Sequence, residues 1–321
     1  MNKMDQQTIS LTTVQGDPLL RDNDERVKEV ENFLNEFLKP ECDDQRRICT
    51  ARARCCGSSR SLYCTECYSL IIPKDEWPTS IKNSELKLPF NVTCILDDRR
   101  KSSTGLHLPV LLRASGHGDQ ISIADLDRGE VPSICDMDST YLLFPQKGVS
   151  KPLSSVADKV KNLVVLDCKW TSSQFSRELP VIQDLPKVHL TTPPKESFYW
   201  RWHNAGQGML STLEAIYFAS MELKQIKEKN DEKENHMLDL LWLFGIQRAS
   251  TVLTACKLGK PIPFTSEGKE MQRSLRRTIK GSESHLRDIE RGRQLKEANQ
   301  KMKSNNNSSD TFPSQLTQSS Q

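Results

Sequence analysis

Apolar positions along the chain fall into two rhythms. From Asp24 to Leu38, "DERVKEVENFLNEFL", residues Val27, Val30, Phe33, Leu34, Phe37 and Leu38 recur at helical spacing and predict one amphipathic helix. "MLSTLEAIYFASMELKQIK" (209–227) and "ENHMLDLLWLFGIQRASTVLTACK" (234–257) predict two more helices, the second apolar enough to be largely buried. Short strand-like runs lie between: "FNVTCIL" (90–96), "QISIADL" (120–126), "TYLLFP" (140–145), "NLVVLD" (162–167) and "KVHL" (187–190). "LSSVADKVK" (153–161) reads as a short helix between the third and fourth runs. That interval is therefore a βαβ unit, with parallel strands and a right-handed crossover. The pattern predicts an α/β fold.

Leu163, Val164, Val165 and Leu166 are four apolar residues in a row, the mark of a central strand in a parallel sheet. That strand stops on Asp167, Cys168, Lys169 and Trp170. In open α/β sheets ligands sit at the carboxyl ends of strands, so this tetrapeptide is either a strand cap or the floor of a site. Two other segments would reach the same edge, "LLFPQ" (142–146) and "SFYWRWHNAGQGMLSTLEAI" (197–216). In the latter, Ser211-Thr212-Leu213-Glu214 fits a capping box, with Ser211 as N-cap. The N–H groups there either start a well-capped helix and no more, or attract a carboxylate or phosphate. "FYWRWH" is either a strand packed on the core or a stacking surface for bases.

Length and charge narrow the class. The 321 residues allow two domains or one with extensions, and a net charge of +3 does not by itself declare a nucleic-acid binder. The longest apolar run, "LLWLFGI" (240–246), is far too short to span a bilayer. The first 20 residues are polar, with no apolar signal segment, which points to a reducing compartment and an intracellular protein of nucleus or cytoplasm. The ten cysteines are then not a disulfide framework. No G-x-G-x-x-G, Walker loop, H-E-x-x-H or nucleophile elbow occurs.

Five cysteines crowd into "CTARARCCGSSRSLYCTECY": Cys49, Cys55, Cys56, Cys64 and Cys67. Cys64-x-x-Cys67 has the spacing at which one turn lets two thiolates grip one tetrahedral ion. Adjacent cysteines rarely ligate one ion easily, so the expected upstream pair is Cys56 with Cys49 or Cys55. The alternative is a set of unliganded or redox-active thiols. A zinc ion held by four thiolates would be structural, because no coordination position stays open. Downstream, residues 269–303 hold eleven Lys/Arg against five Asp/Glu, as either a nucleic-acid contact or a solvated helical face.

"YCTECY", "LPFNVTCILDDRRKSSTGLH" (88–107), "YLLFP", "LDCKW" and "ESFYWRWHNAGQGMLSTLEAIYF" together resemble the DTW-domain proteins over roughly residues 49–257. "LDCKW" stands where that family has Asp-x-Thr-Trp, with Lys169 in place of the threonine, and Asp97-Asp98 replaces the usual His-Pro. The resemblance implies a SPOUT-like knotted parallel sheet and a transfer of the 3-amino-3-carboxypropyl group from S-adenosylmethionine to N3 of a uridine in tRNA. It implies catalytic Asp167 and Trp170, donor contacts from Leu143, Phe144, Pro145, Asp167, Trp170, Ser211, Thr212 and Glu214, and RNA contacts from Arg99, Arg100, Lys101, Arg201 and Trp202. The competing readings are an RNA methyltransferase on the same fold and a catalytically silent zinc-bearing RNA-binding scaffold. The chain divides accordingly into a disordered start and amphipathic helix (1–41), a cysteine-rich zinc module (42–78), a catalytic domain (79–262), a basic helical extension (263–303) and a disordered tail (304–321).

Overall fold

The computed structural model describes residues 18–38, 48, 51–134, 136–168, 179–200, 208–227, 236–263, 265, 267–271 and 274. A first compact unit runs to Phe264 and a second begins at Thr265. In the second, residues 267–271 are helical, and the Thr265 hydroxyl accepts the Gly268 N–H at 3.2 Å, as an N-cap does.

In the first unit, helix α1 (Pro18–Glu36) is followed by a hairpin of β1 (Ala53–Cys55) and β2 (Ser58–Arg60), then by the short helix α2 (Thr79–Lys82). The main sheet is built from β3 (Asn91–Leu96), β4 (Ile121–Asp125), β5 (Thr140–Leu143), β6 (Lys151–Pro152), β7 (Asn162–Asp167) and β8 (Lys187–His189). Its order is β4-β3-β7-β5-β8-β6, and every neighbouring pair is parallel. Helices α3 (His107–Ala114), α4 (Pro180–Gln183), α5 (Thr212–Lys227) and α6 (Trp242–Lys257) complete the unit. It is a six-stranded parallel α/β sheet flanked by helices.

The apolar run at 163–166 has the physical cause expected of a central strand. Leu163 and Val165 belong to the large core with Val92, Cys94, Leu96 and residues of α3, α5 and α6. Val164 points the other way, into a smaller core with Ile95, Leu142, Ile182 and Leu185. Both faces of β7 are covered, so no polar position is needed along it.

Four local differences from the sequence reading stand out. Residues 153–161 are not a helix: β6 takes up Lys151–Pro152 beside β8, one 3-10 turn covers Leu153–Val156, and turns lead into β7. The β5-to-β7 connection still delivers parallel neighbours. Helix α1 starts at Pro18, a residue welcome in a first helical turn. The 234–257 stretch is a 3-10 segment at His236–Leu241 followed by α6. Helix α3 lies in "HLPVLLRA", where Pro109 falls within the first turn and costs no hydrogen bond.

Candidate functional site

Register brings the carboxyl ends of the strands level. Leu96 pairs with Asp125 on one side and with Asp167 on the other, so β4, β3 and β7 end together. Leu143 closes β5 next to them, with half-buried Phe144 and exposed Pro145 just beyond; the Phe144 N–H is held by the Val188 carbonyl at 2.8 Å. Asp97 donates its N–H to the Asp167 carbonyl at 2.9 Å, which locks the exits of β3 and β7.

Asp167 is buried and surrounded by donors. Its Oδ2 accepts the Ser103 hydroxyl at 2.5 Å and the Gly105 N–H at 2.9 Å, with Thr212 as a further side-chain donor. Burial pushes its pKa up, against the pull of those donors. The carboxylate thus ties three things together: the end of β7, the Ser103-Thr104-Gly105 loop and the start of α5. This bracing fixes strand end, loop and helix start relative to one another. Beside it, burial raises the Cys168 thiol to about 11, helped by Asp167, Asp97 and Asp98, so it stays a neutral thiol at neutral pH.

The capping box at α5 is formed. Ser211 donates its N–H to Glu214 at 2.8 Å, and Glu214 returns its N–H to the Ser211 hydroxyl at 3.4 Å. Glu214 is fully buried and also accepts the Ser197 hydroxyl at 2.7 Å and the Phe198 N–H at 2.6 Å. Burial raises its pKa while these donors lower it. Glu214 is therefore committed to the chain and shapes the edge from behind rather than lining it. The Leu213 N–H reaches the Thr104 hydroxyl at 3.5 Å, so the N–H groups of Ser211, Leu213 and Glu214 at this helix start are already engaged. Phe198, Tyr199 and Trp200 pack on the core, Trp200 edge-on to Phe244 at 4.9 Å, which decides that part of the aromatic run for packing.

The three basic residues after β3 do not share a role. Arg99 and Lys101 are exposed. Arg100 turns inward: its guanidinium bonds Asp125 Oδ2 at 2.5 Å, the Tyr68 hydroxyl at 2.8 Å and the Thr65 carbonyl through both Nε and Nη2. Against the expectation of a phosphate contact, four of the five guanidinium N–H groups of Arg100 are engaged within the protein.

Cys55, Cys56, Cys64 and Cys67 come together with all sulfurs within 4.8 Å of one another. Cys55 Sγ lies 3.4 Å from Cys67 Sγ and 4.0 Å from Cys56 Sγ. Four ligands at about 2.3 Å around a tetrahedral ion stand about 3.8 Å apart, so the cluster fits a thiolate-bound metal. Of the two upstream pairs the sequence left open, the adjacent Cys55 and Cys56 are the one found in the cluster. The reason is local: Cys56 (φ +47) and Gly57 (φ +76) are both left-handed, the signature of the tight turn joining β1 and β2. Reversal of the chain there brings both thiols to one side. Opposite, the Tyr68 N–H bonds the Cys64 carbonyl at 2.9 Å and the Cys64 N–H bonds the Ser69 carbonyl at 2.9 Å, closing the Cys64-x-x-Cys67 turn.

Cys49, Lys169, Trp170, Arg201 and Trp202 lie outside the described residues, as does most of the basic 269–303 stretch. The sequence reading passed over Ser103, Thr104 and Gly105. Their signal was a run of small polar residues and glycine at a strand's carboxyl exit, directly before a helix.

No curated protein matches this chain. Among solved structures, it is similar to the SAM-dependent rRNA:acp-transferase Tsr3 from Vulcanisaeta distributa, at 14% identity and a TM-score of 0.29, over 60% of this chain and 98% of that one. The family profile described as the DTW domain matches residues 62–247, more than half of the chain and the whole of the edge from Arg100 to Glu214. The chain belongs to the DTW-domain family.

Proposed function

We propose that the protein transfers the 3-amino-3-carboxypropyl group of S-adenosylmethionine to N3 of a uridine in tRNA. One observation supports the reading: within the family-matched region, the Ser103-Thr104-Gly105 loop and the start of α5 converge on Asp167 at the carboxyl edge of a parallel sheet, with β5 pairing beside β7. In the reaction a bond forms between N3 and the γ-carbon of the methionine part. The bond from that carbon to sulfur breaks, its electron pair stays on sulfur, and methylthioadenosine leaves while the imide proton goes to a base. Selecting one carbon of three on a sulfonium is a positioning task, which suits a braced edge better than a strong nucleophile.

In this reading Leu143, Phe144 and Pro145 flank the adenosine, and Trp170 faces the sulfonium. Asp167 holds loop and helix in register, Thr212 stands at the donor's amino acid end, and Arg99, Lys101, Arg201 and Trp202 meet RNA. The four clustered cysteines hold one structural zinc ion, which cross-links the amino-terminal module. Among the described residues no helix is long and apolar enough to cross a membrane.

Nucleoside mass spectrometry of tRNA from cells with and without the protein tests the reaction. The expected result is loss of 3-(3-amino-3-carboxypropyl)uridine. A lost methyl group would make it a methyltransferase, and a loss confined to ribosomal RNA would move the acceptor.

A further inference from the structure

We infer that Arg100 is a positioning residue through which the cysteine turn sets the geometry of the active edge. The inference rests on the proposed function for its catalytic meaning, but its physical content is a coupling between two parts of the chain. The guanidinium reaches the turn at two residues: Thr65, which lies between Cys64 and Cys67, and Tyr68, which directly follows Cys67. The Tyr68 ring stands between two cations, Arg100 at 5.4 Å and Arg113 at 4.8 Å, and its own backbone is left-handed at φ +59. The same guanidinium bonds Asp125, which is buried at the end of β4. One side chain thus fixes the cysteine turn to the carboxyl edge.

The other end of the linkage is three residues away. Arg99 accepts the N–H groups of Ser102 (2.7 Å) and Ser103 (3.2 Å), forming a tight turn. Ser103 and Gly105 then hold Asp167, and Thr104 receives the Leu213 N–H of α5. The segment from Arg99 to Gly105 is pinned in the cysteine turn at one end and on Asp167 at the other. A turn shaped by four metal–thiolate bonds presents the Thr65 carbonyl and Tyr68 hydroxyl in place. Without the metal those acceptors drift, and Arg100 no longer fixes the loop.

The test compares wild type with Arg100→Gln and Arg100→Lys, each zinc-loaded and after chelation. The first measurement is amide hydrogen exchange at Ser103 and Gly105, which needs no activity. Chelation should raise exchange there by about 10-fold or more in wild type, because releasing the turn lowers the cost of local opening. Arg100→Gln should show that faster exchange already when loaded with zinc, with no further rise on chelation. Arg100→Lys, which keeps the charge and loses the fork, should rescue only part of it. Calorimetry with S-adenosylmethionine should show the same order of affinities, with the salt slope of tRNA binding unchanged. Exchange at Ser103 and Gly105 that ignores both chelation and substitution overturns the coupling. A slope shallower by about 0.7–0.9 in Arg100→Gln, the mark of one phosphate fewer neutralised, overturns it in favour of RNA contact. If wild type binds no S-adenosylmethionine while the exchange pattern holds, the proposed function fails and the coupling stands.

Discussion

A methyl group on Gly105 would stand 2.4 Å from Asp167 Oδ2 and 3.0 Å from Cys94 Sγ, and Cys94 is fixed in a buried central strand. Gly105→Ala is therefore expected to cost about 1–3 kcal/mol, the range for an overpacked core, and to push Asp167 from its donors. Thermal denaturation reads the first effect, and loss of donor binding the second. His107, two residues on, makes a separate prediction. It is fully buried against Tyr63, with ring centroids 5.4 Å apart, and burial drives its pKa down to about 3; the nearby Gln247 side chain opposes this slightly without a well-formed hydrogen bond to either ring nitrogen. The folded state then binds fewer protons than the unfolded chain, whose histidine titrates near 6.5. Stability from this residue is complete above pH 6.5 and falls at up to about 1.4 kcal/mol per pH unit as acid is added, down to pH 3. Denaturant titrations of wild type and His107→Phe between pH 7 and pH 4.5 check this: the variant should lack that part of the slope. At this scale the sequence was legible in placement: Asp167 ends its strand at the sheet edge, and four of the five crowded cysteines come together. It was illegible at Arg100, because whether a guanidinium faces RNA or a tyrosine hydroxyl depends on a neighbour 32 residues away.

Periodicity made the strands readable as elements, and it did so best where burial is most uniform. "NLVVLD" is β7 to the residue, because a strand covered on both faces leaves no polar position to blur its ends. Residues 153–161 failed for the opposite reason: a helical spacing too short to offset its nucleation cost lost to a 3-10 turn and the turns that follow it. The capping box was legible as a four-residue motif, whereas the second duty of Glu214 was not, since Ser197 and Phe198 approach it through tertiary structure. That second duty predicts an unequal pair of variants. Glu214→Ala removes the acceptor of three donors, costing about 1–3 kcal/mol for each that stays buried, and should speed amide exchange at Phe198 and Ser211 together. Glu214→Gln keeps one acceptor oxygen and should lose less. Equal losses in the two variants would mean that Glu214 matters only by its volume.

Across the whole molecule, charge is unevenly placed. The first compact unit contains both hydrophobic cores, the sheet and the cysteine cluster, while the stretch at 269–303 carries eleven cations against five anions within a chain of net charge +3. Removing residues from Thr265 onward takes away none of the described residues that brace the edge. The shortened protein should keep its melting temperature, its metal content and its affinity for S-adenosylmethionine. It should bind tRNA more weakly at low salt, with a shallower salt dependence, because each phosphate that is no longer neutralised takes about 0.7–0.9 off the slope. Binding carried by counterion release has little sequence content, so the modified nucleotide should be unchanged in the shortened protein. Filter binding at several salt concentrations, beside nucleoside analysis of the product, measures both quantities. An unchanged slope would make the stretch a solvated face and leave RNA recognition to the exposed cations Arg99 and Lys101 and to the segment from Arg201 onward; a changed nucleotide would mean that the extension helps to choose the target.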